Sequence, residues 1–357
     1  MSLIKLEVNG LRNLAPVLIE PHPHINYVVG ANASGKTSLL EAIYLLGRAR
    51  SFRTTQLNQL IQFGASALTV VGKVASPTAG QLPIGIEISR NTRTIHLGGR
   101  TLQSSAELLQ VFPLLVIQPA GIALLEGAPK LRRQFLDFGV FHHNPAFLEQ
   151  WRRYSRALNH RNALLRNGRT GDLAPWNHEL ARYGIMLHEA RAQYLDSLAP
   201  LFRDIGGRFF SGSHFELRLQ AGWDLSRDLS DILESDAAAD LRYGHTQSGP
   251  HKGDFSISLD QRPIKAYVSR GQMKVMVYAL LLAQSRLMEE RAGAAGCMLI
   301  DDVASELDAD NQRILLDLLR DRPTQFFITA TGHETLNDRI SGDAALFEVG
   351  QGRITQA

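Results

Sequence analysis

Gly30-Ala31-Asn32-Ala33-Ser34-Gly35-Lys36-Thr37 fits the pattern G-x-x-x-x-G-K-[ST], and its flanks leave the chain little choice of local fold. Before it, the segment Ile25–Val29 is a short apolar run of strand type. After it, Leu39, Leu40, Ile43 and Leu46 recur at helical spacing. Strand, glycine-rich loop and helix, in that order, turn consecutive backbone N–H groups and the positive end of a helix dipole toward one point. A polyphosphate satisfies them. In this pattern Lys36 reaches the β and γ oxygens and the Thr37 hydroxyl ligates Mg²⁺, so the octapeptide reads as a nucleoside triphosphate site.

Such a site needs a carboxylate at the end of a second buried strand. The segment Cys297–Ile300 supplies four apolar residues, and Asp301 and Asp302 follow. Asp301 is assigned to hold Mg²⁺ through water, and Asp302 to orient and polarise the attacking water. Lys36 and Asp301 are 265 positions apart. Compact GTPase-like folds hold these elements much closer, so a large segment is inserted between two halves of one nucleotide domain.

The neighbours of this acid pair narrow the class. Ser269-Arg270-Gly271-Gln272 opens a helix 32 positions before Asp301. A capping serine with a glycine and free amides at a helix start makes a second anion site. The first is filled by the P-loop's own phosphates, which leaves the second for the γ-phosphate held by another molecule. Past the acids, Ser305-Glu306-Leu307-Asp308 is a polar turn suited to a subunit contact through Ser305 and Asp308.

Elsewhere the chain alternates in character. Strand patterns at 3–8 and Val17–Ile19 open it, and short β-type runs broken by Gly and Asn turns fill 68–102 as an antiparallel meander. Two apolar stripes follow, Phe147, Trp151, Tyr154, Leu158 and Leu165, then Leu180, Tyr183, Leu187, Ala190, Tyr194 and Leu198. They read as an αα-hairpin. Toward the end come a strand at 264–268, a helix at 271–286, a helix at 311–319, a strand at 325–329 and a hairpin around Gly350.

At 357 residues and 44% hydrophobic the chain can bury a full core, which excludes a disordered or fibrous protein. One cysteine, Cys297, permits no intramolecular disulfide and fits a reducing, cytoplasmic setting. Lys5 and Glu7 interrupt the first apolar stretch, and the longest apolar run, 275–283, is half a membrane span, so neither a signal peptide nor a membrane helix is expected. The net charge of +3 points to no partner until it is located: 131–200 holds ten arginines against six acids, a net +4. Arg152, Arg153, Arg156 and Arg161, interleaved with Trp151 and Tyr154, are candidate phosphate contacts along a DNA duplex, and Arg50 and Arg53 are a second pair. For any single arginine a solvated helix face is the competing reading. Arg132 and Arg133 read equally well as structural partners of acids, and 249–253, with His251 and Lys252, as a constrained turn.

The order P-loop, S-x-G-Q, apolar-Asp-Asp, S-x-L-D resembles ABC-type ATPase heads and, among these, the DNA-repair group that includes SMC and RecF proteins. The likeness to the RecF family runs along nearly the whole chain. It rests on Gly10-Leu11-Arg12-Asn13, the P-loop with Leu40-Glu41-Ala42-Ile43 after it, and Arg48-Ala49-Arg50-Ser51-Phe52-Arg53. It continues through Gly127-Ala128-Pro129, Arg132-Arg133, Phe135-Leu136-Asp137 and Ser248-Gly249-Pro250-His251-Lys252, ending at Ser269–Gln272 and 301–308. A complete SMC molecule is excluded by length, since the insert leaves room for a short arm and not for a long coiled coil.

The resemblance implies an α/β, ABC-type P-loop ATPase head formed by 1–130 and 245–357, interrupted by a mainly helical arm at 131–244. It implies an ATP-dependent homodimer in which each ATP, with Mg²⁺, lies between the P-loop of one chain and Ser269, Arg270, Gly271 and Gln272 of the other, with Arg12 approaching from the N-terminal sheet. It further implies weak DNA-stimulated ATPase activity acting as a dimerisation switch, binding to double-stranded DNA at single-strand gap junctions, and recombinase loading with RecO and RecR. The alternatives are an ATPase subunit of an ABC transporter, which needs a membrane partner, and an ATP-stabilised DNA scaffold with incidental turnover. Three positions depart from the pattern. The Mg²⁺-contacting glutamine of ABC heads corresponds to Gln118, where Pro119 is followed by Ala120 in place of the acid of many RecF sequences. Thr329, Ala330 and Thr331 stand where a switch histidine belongs, His333 being slightly late and read as an exposed loop residue. Asp302 replaces the usual Glu, and one methylene less of reach predicts slow turnover.

Overall fold

In the computed structural model, which describes residues 1–76, 80–292, 296–320, 322–332 and 344–357, the helix after the glycine-rich loop is sandwiched by two sheets. This helix, α1 (Lys36–Arg48), buries Leu39, Leu40, Ile43, Leu45 and Leu46 all round its circumference, which a one-sided amphipathic helix does not do. Its first partner is an antiparallel sheet of β1 (Ser2–Asn9), β2 (Val17–Ile19), β4 (Ala67–Ser76), β5 (Gly80–Ser89), β6 (Arg93–Leu97) and β7 (Arg100–Thr101), in the order β2-β1-β4-β5-β6-β7. Alternate residues Leu68, Val70 and Val74 of β4 face the core, and Ile84, Ile86 and Ile88 of β5 do the same.

The second sheet is mostly parallel: β15-β14-β3-β13-β12-β8. It comprises β3 (Ile25–Val29), β8 (Leu114–Ile117), β12 (Cys297–Ile300), β13 (Gln325–Ala330), β14 (Ala344–Gly350) and β15 (Arg353–Gln356). Every residue of β12 and β13 is buried, as continuous apolar runs in a parallel sheet require. Between strands stand α2 (Ala106–Val111), α11 (Val303–Glu306) and α12 (Ala309–Leu319). Met1–Gly121 and Met288–Ala357 form this unit.

Ile122–Leu287 form the other unit. It contains α3 (Ala123–Glu126), α4 (Pro129–His143), α5 (Phe147–Arg166), α6 (Ala174–Phe209), α7 (Leu229–Ser235), α8 (Ala237–Tyr243), α9 (Ile264–Tyr267) and α10 (Arg270–Ala292) as far as Leu287. A three-stranded antiparallel sheet, β11-β10-β9, completes it with β9 (Phe215–Gln220), β10 (Asp254–Leu259) and β11 (Arg262–Pro263). The two apolar stripes do form an αα-hairpin: α5 and α6 pack together, and α6, at 36 residues, runs for roughly 54 Å.

Two details differ from the sequence reading. The insert is larger than 131–244, because β9, inside those limits, pairs along its whole length with β10, outside them. The Arg132 guanidinium also grips the Asp254 carboxylate through Nε at 2.7 Å and Nη2 at 2.8 Å. And 264–268 is no strand. Pro263 lacks an N–H to continue the ladder, so the chain turns into the single helical turn α9 with Ile264 buried beneath it.

Candidate nucleotide-binding site

β3 ends at Val29, and the Gly30 N–H donates to the Ala330 carbonyl at the end of β13, 3.3 Å away. A Cβ on Gly30 would lie 2.2 Å from the Val349 carbonyl oxygen, so no larger residue fits. Gly35 has φ +123°, a backbone conformation open to glycine, and turns the chain into α1. Lys36 is the first helical residue; its Nζ donates to the carbonyls of Gly30 (2.6 Å) and Ala31 (2.9 Å), closing the loop around the ammonium. Asn13 pins the loop from outside, donating through Nδ2 to the Ala33 carbonyl (3.2 Å) and accepting from Ser38 Oγ (2.9 Å). The Ser34 hydroxyl is buried without a partner.

The parallel sheet closes the site by putting β13 between β3 and β12. Asp301, at the end of β12, accepts the Thr37 hydroxyl with both oxygens, at 3.1 and 3.0 Å, and the Thr329 hydroxyl at 2.8 Å. Burial raises the Asp301 pKa, against the pull of these hydrogen bonds and of Lys36. Burial likewise lowers that of Lys36, against Asp302 and Asp301. Asp302 adopts the left-handed conformation (φ 57°, ψ 51°), accepts from Ser305 Oγ at 2.5 Å through Oδ2, and leaves Oδ1 buried with no partner. Loop and acids line one cleft of ≈ 530 Å³. Hard oxygen donors on Thr37 and Asp301, in a cleft that Asp302 with its unpartnered Oδ1 also lines, suit a magnesium–polyphosphate pair.

Arg12 and Arg53 both line this cleft. Arg12, in the left-handed region at φ 48°, is held by fully buried Glu41 of α1 through Nε and, at 3.1 Å, Nη2. Glu41 also takes the Ser51 hydroxyl and lies 3.7 Å from Arg53 Nη1. Arg53, expected on DNA beside Arg50, is thus drawn to the nucleotide cleft, while Arg50 is exposed to solvent. The one sequence signal for Glu41 is its place one helical turn after Thr37. Gln118 follows β8 as expected and donates to the Phe52 carbonyl at 3.4 Å, while its neighbour Pro119 lines the cleft.

The remaining candidates fall elsewhere. Ser269 caps α10 reciprocally with Gln272, at 3.2 and 3.1 Å, and Ser269, Arg270, Gly271 and Gln272 are all exposed. Asp308 caps α12 through Asn311 N at 2.8 Å and, like Ser305, is exposed. Arg152, Arg153 and Arg156 project into solvent with Trp151, whose 42% exposure removes it from the hairpin core. Arg161 does not: at 0% exposure it donates to Asn177 (2.7 Å), Asp240 (2.6 Å), Thr246 (2.8 Å) and the Leu233 carbonyl (2.8 Å), which withdraws it as a DNA contact. The helical phase of α5 turns position 161 inward, where only a saturated guanidinium is tolerated. His333 lies outside the described residues.

The turn at 249–253 is constrained, as its composition implied. His251 Nε2 lies 3.0 Å from the Thr246 carbonyl, which can only accept, so Nδ1 is the acceptor for the Tyr154 hydroxyl at 2.6 Å. Burial pushes the His251 pKa down to about 4 from 6.5. Between those values the unfolded chain binds the proton and the folded one does not, so stability is lost as pH falls through that window, by roughly 3 kcal/mol in all. Urea unfolding between pH 7 and 4.5 measures this slope, and His251→Gln removes it; an unchanged slope in that variant contradicts the assignment.

A P-loop and a buried strand ending in paired acids, with another strand between them, define an ABC-type ATPase head. Residues 2–353 match the family described as RecF/RecN/SMC N terminal domain. The DNA replication and repair protein RecF of Pseudomonas fluorescens is 42% identical over all of this chain and 98% of its own length, and that of Pseudomonas entomophila is 41% identical over the same spans. Among solved structures, the recombination mediator protein RecF with ATP superimposes with a TM-score of 0.88 at 28% identity, covering 100% of this chain and 97% of that one. An SMC head bound to the C-terminal winged-helix domain of ScpA covers the same shares with a TM-score of 0.64 at 15% identity, a likeness of fold. The chain belongs to the RecF family of DNA replication and repair proteins.

Proposed function

We propose that this chain is an ATP-driven DNA-binding switch. Two copies bind ATP with Mg²⁺, each nucleotide between the P-loop of one and Ser269, Gly271 and Gln272 of the other, with Ser305 and Asp308 at the contact. The ATP-bound dimer holds double-stranded DNA at the edge of a single-strand gap, and slow, DNA-stimulated hydrolysis releases it. One observation carries the reading: Thr37 and Asp301, 264 positions apart, meet at hydrogen-bonding distance in a cleft that also contains Lys36 and Asp302. Mg²⁺ held by Thr37 and Asp301 supplies the positive charge that screens the phosphates. Asp302 then orients and deprotonates the water.

Recombinase loading with RecO and RecR, in the cytoplasm, is the wider role, supported by the solved relative described as acting in the RecFOR pathway. No described helix is long and apolar enough to cross a membrane. The full-length relatives at 41–42% identity are DNA replication and repair proteins, which favours the DNA reading over a transporter's ATPase subunit. The exposed arginines Arg152, Arg153 and Arg156 are the proposed duplex contacts.

Gel filtration and gapped-duplex binding, each with and without ATP and Mg²⁺, test the switch. The wild type dimerises with ATP and binds gapped DNA more tightly, whereas Lys36→Ala stays monomeric and loses the ATP-dependent part. Absence of an ATP-dependent dimer, together with unchanged DNA binding by Lys36→Ala, defeats this reading.

A further inference from the structure

β13 carries two polar residues among its buried apolar ones, Gln325 and Thr329, and their side chains do different work. The Gln325 amide ties the sheet to the N-terminal strand, accepting from the Leu3 N–H at 2.7 Å and donating to the carbonyls of Leu3 and His22 at 2.9 and 2.8 Å. Among the described residues the fully buried Thr329 hydroxyl hydrogen-bonds only with the acid pair. It accepts the Asp302 N–H at 2.7 Å and gives its own proton to Asp301 Oδ1 at 2.8 Å. The result is one chain of hydrogen bonds, from the Asp302 backbone through Thr329 to the Asp301 carboxylate.

Asp302 needs such a tether. A residue with a Cβ disfavours the left-handed region, and here that conformation sets where the second carboxylate leaves the backbone. Asp301 is held from two sides, by Thr37 of the P-loop helix and by Thr329 of β13. Thr37 lines the cleft and is free to exchange its partner for a nucleotide-bound ion, while Thr329 does not line it and keeps its bonds.

We infer that Thr329 is a positioning residue of the hydrolysis site, coupling the orientation of the Asp301 carboxylate to the backbone turn that aims Asp302. The inference rests on the proposed hydrolytic role of Asp301 and Asp302. It gives the strand end that lacks a switch histidine a task of its own.

Thr329→Val keeps shape and β-propensity while deleting both hydrogen bonds, and Thr329→Ser keeps the hydroxyl. In single-turnover assays the valine variant hydrolyses ATP roughly 10- to 100-fold more slowly and needs more Mg²⁺ for half-maximal rate, and serine restores both. ATP affinity and thermal midpoint stay near wild type in each, because the P-loop is untouched. A valine variant with wild-type turnover, beside an inactive Asp302→Asn, overturns the inference and leaves the site reading standing. Loss of rate, ATP affinity and thermal stability together, unrescued by serine, also overturns it, as a structural role alone. Wild-type turnover in Asp302→Asn overturns both readings.

Discussion

Asp302→Asn holds ATP without hydrolysing it: the single-turnover rate falls roughly 10²- to 10⁴-fold and the ATP-dependent dimer outlives its wild-type counterpart on gel filtration. The amide is almost isosteric with the carboxylate but cannot take a proton from water. The scaffolding around it survives. The backbone N–H still reaches Thr329 Oγ1, and the side-chain oxygen still accepts from Ser305. Asn is also more at ease than most residues in the left-handed region that position 302 occupies. The variant thus separates chemistry from folding, and faster turnover in it contradicts the role assigned to Asp302.

Arg161→Met lowers the stability of the 122–287 unit by roughly 3–5 kcal/mol, read as a shift in its urea transition. Asp240, at 0% exposure, is left as an uncompensated buried charge, and Asn177, Thr246 and the Leu233 carbonyl each lose a donor. A second change, Asp240→Leu, restores most of the loss, because the penalty belongs to the orphaned charge and not to a missing attraction. The exposed arginines of the same helix behave oppositely. Arg152→Ala and Arg156→Ala change stability by less than about 0.5 kcal/mol, and each lowers the salt dependence of duplex binding by about one unit in log–log slope. A stable Arg161→Met protein with weakened DNA binding reverses this assignment.

Arg161 also marks where sequence reading stops. Four arginines at 152, 153, 156 and 161 look alike as a charge pattern, yet helical phase sends three outward and one into a saturated polar pocket. Arg50 and Arg53 are both exposed, yet only Arg53 lines the nucleotide cleft, because buried Glu41 lies 3.7 Å from its guanidinium. Conversely, the P-loop, the β12 strand with its acid pair, the capping serine at 269 and the two-helix hairpin were all legible, since period and short-range chemistry encode them. The segment 264–268 misled because a short apolar run lacks a period, and the proline before it outweighs its strand propensity.

The chain read alone reveals the phosphate-loop pattern, because eight consecutive residues and their two flanks encode it, while Asn13, Ala330 and Val349 brace that backbone only in the folded chain. It also shows that the two halves of the nucleotide site must be brought together across a long insert. How they meet was a matter for three-dimensional packing. A parallel sheet of order β3-β13-β12 carries Thr37, Thr329 and Asp301 to hydrogen-bonding distance, and a buried Glu41 gathers two arginines at the cleft. Hydroxyls and carboxylates carry no sequence signal of the partner that desolvation will force on them, and that partner is named only when burial removes the water.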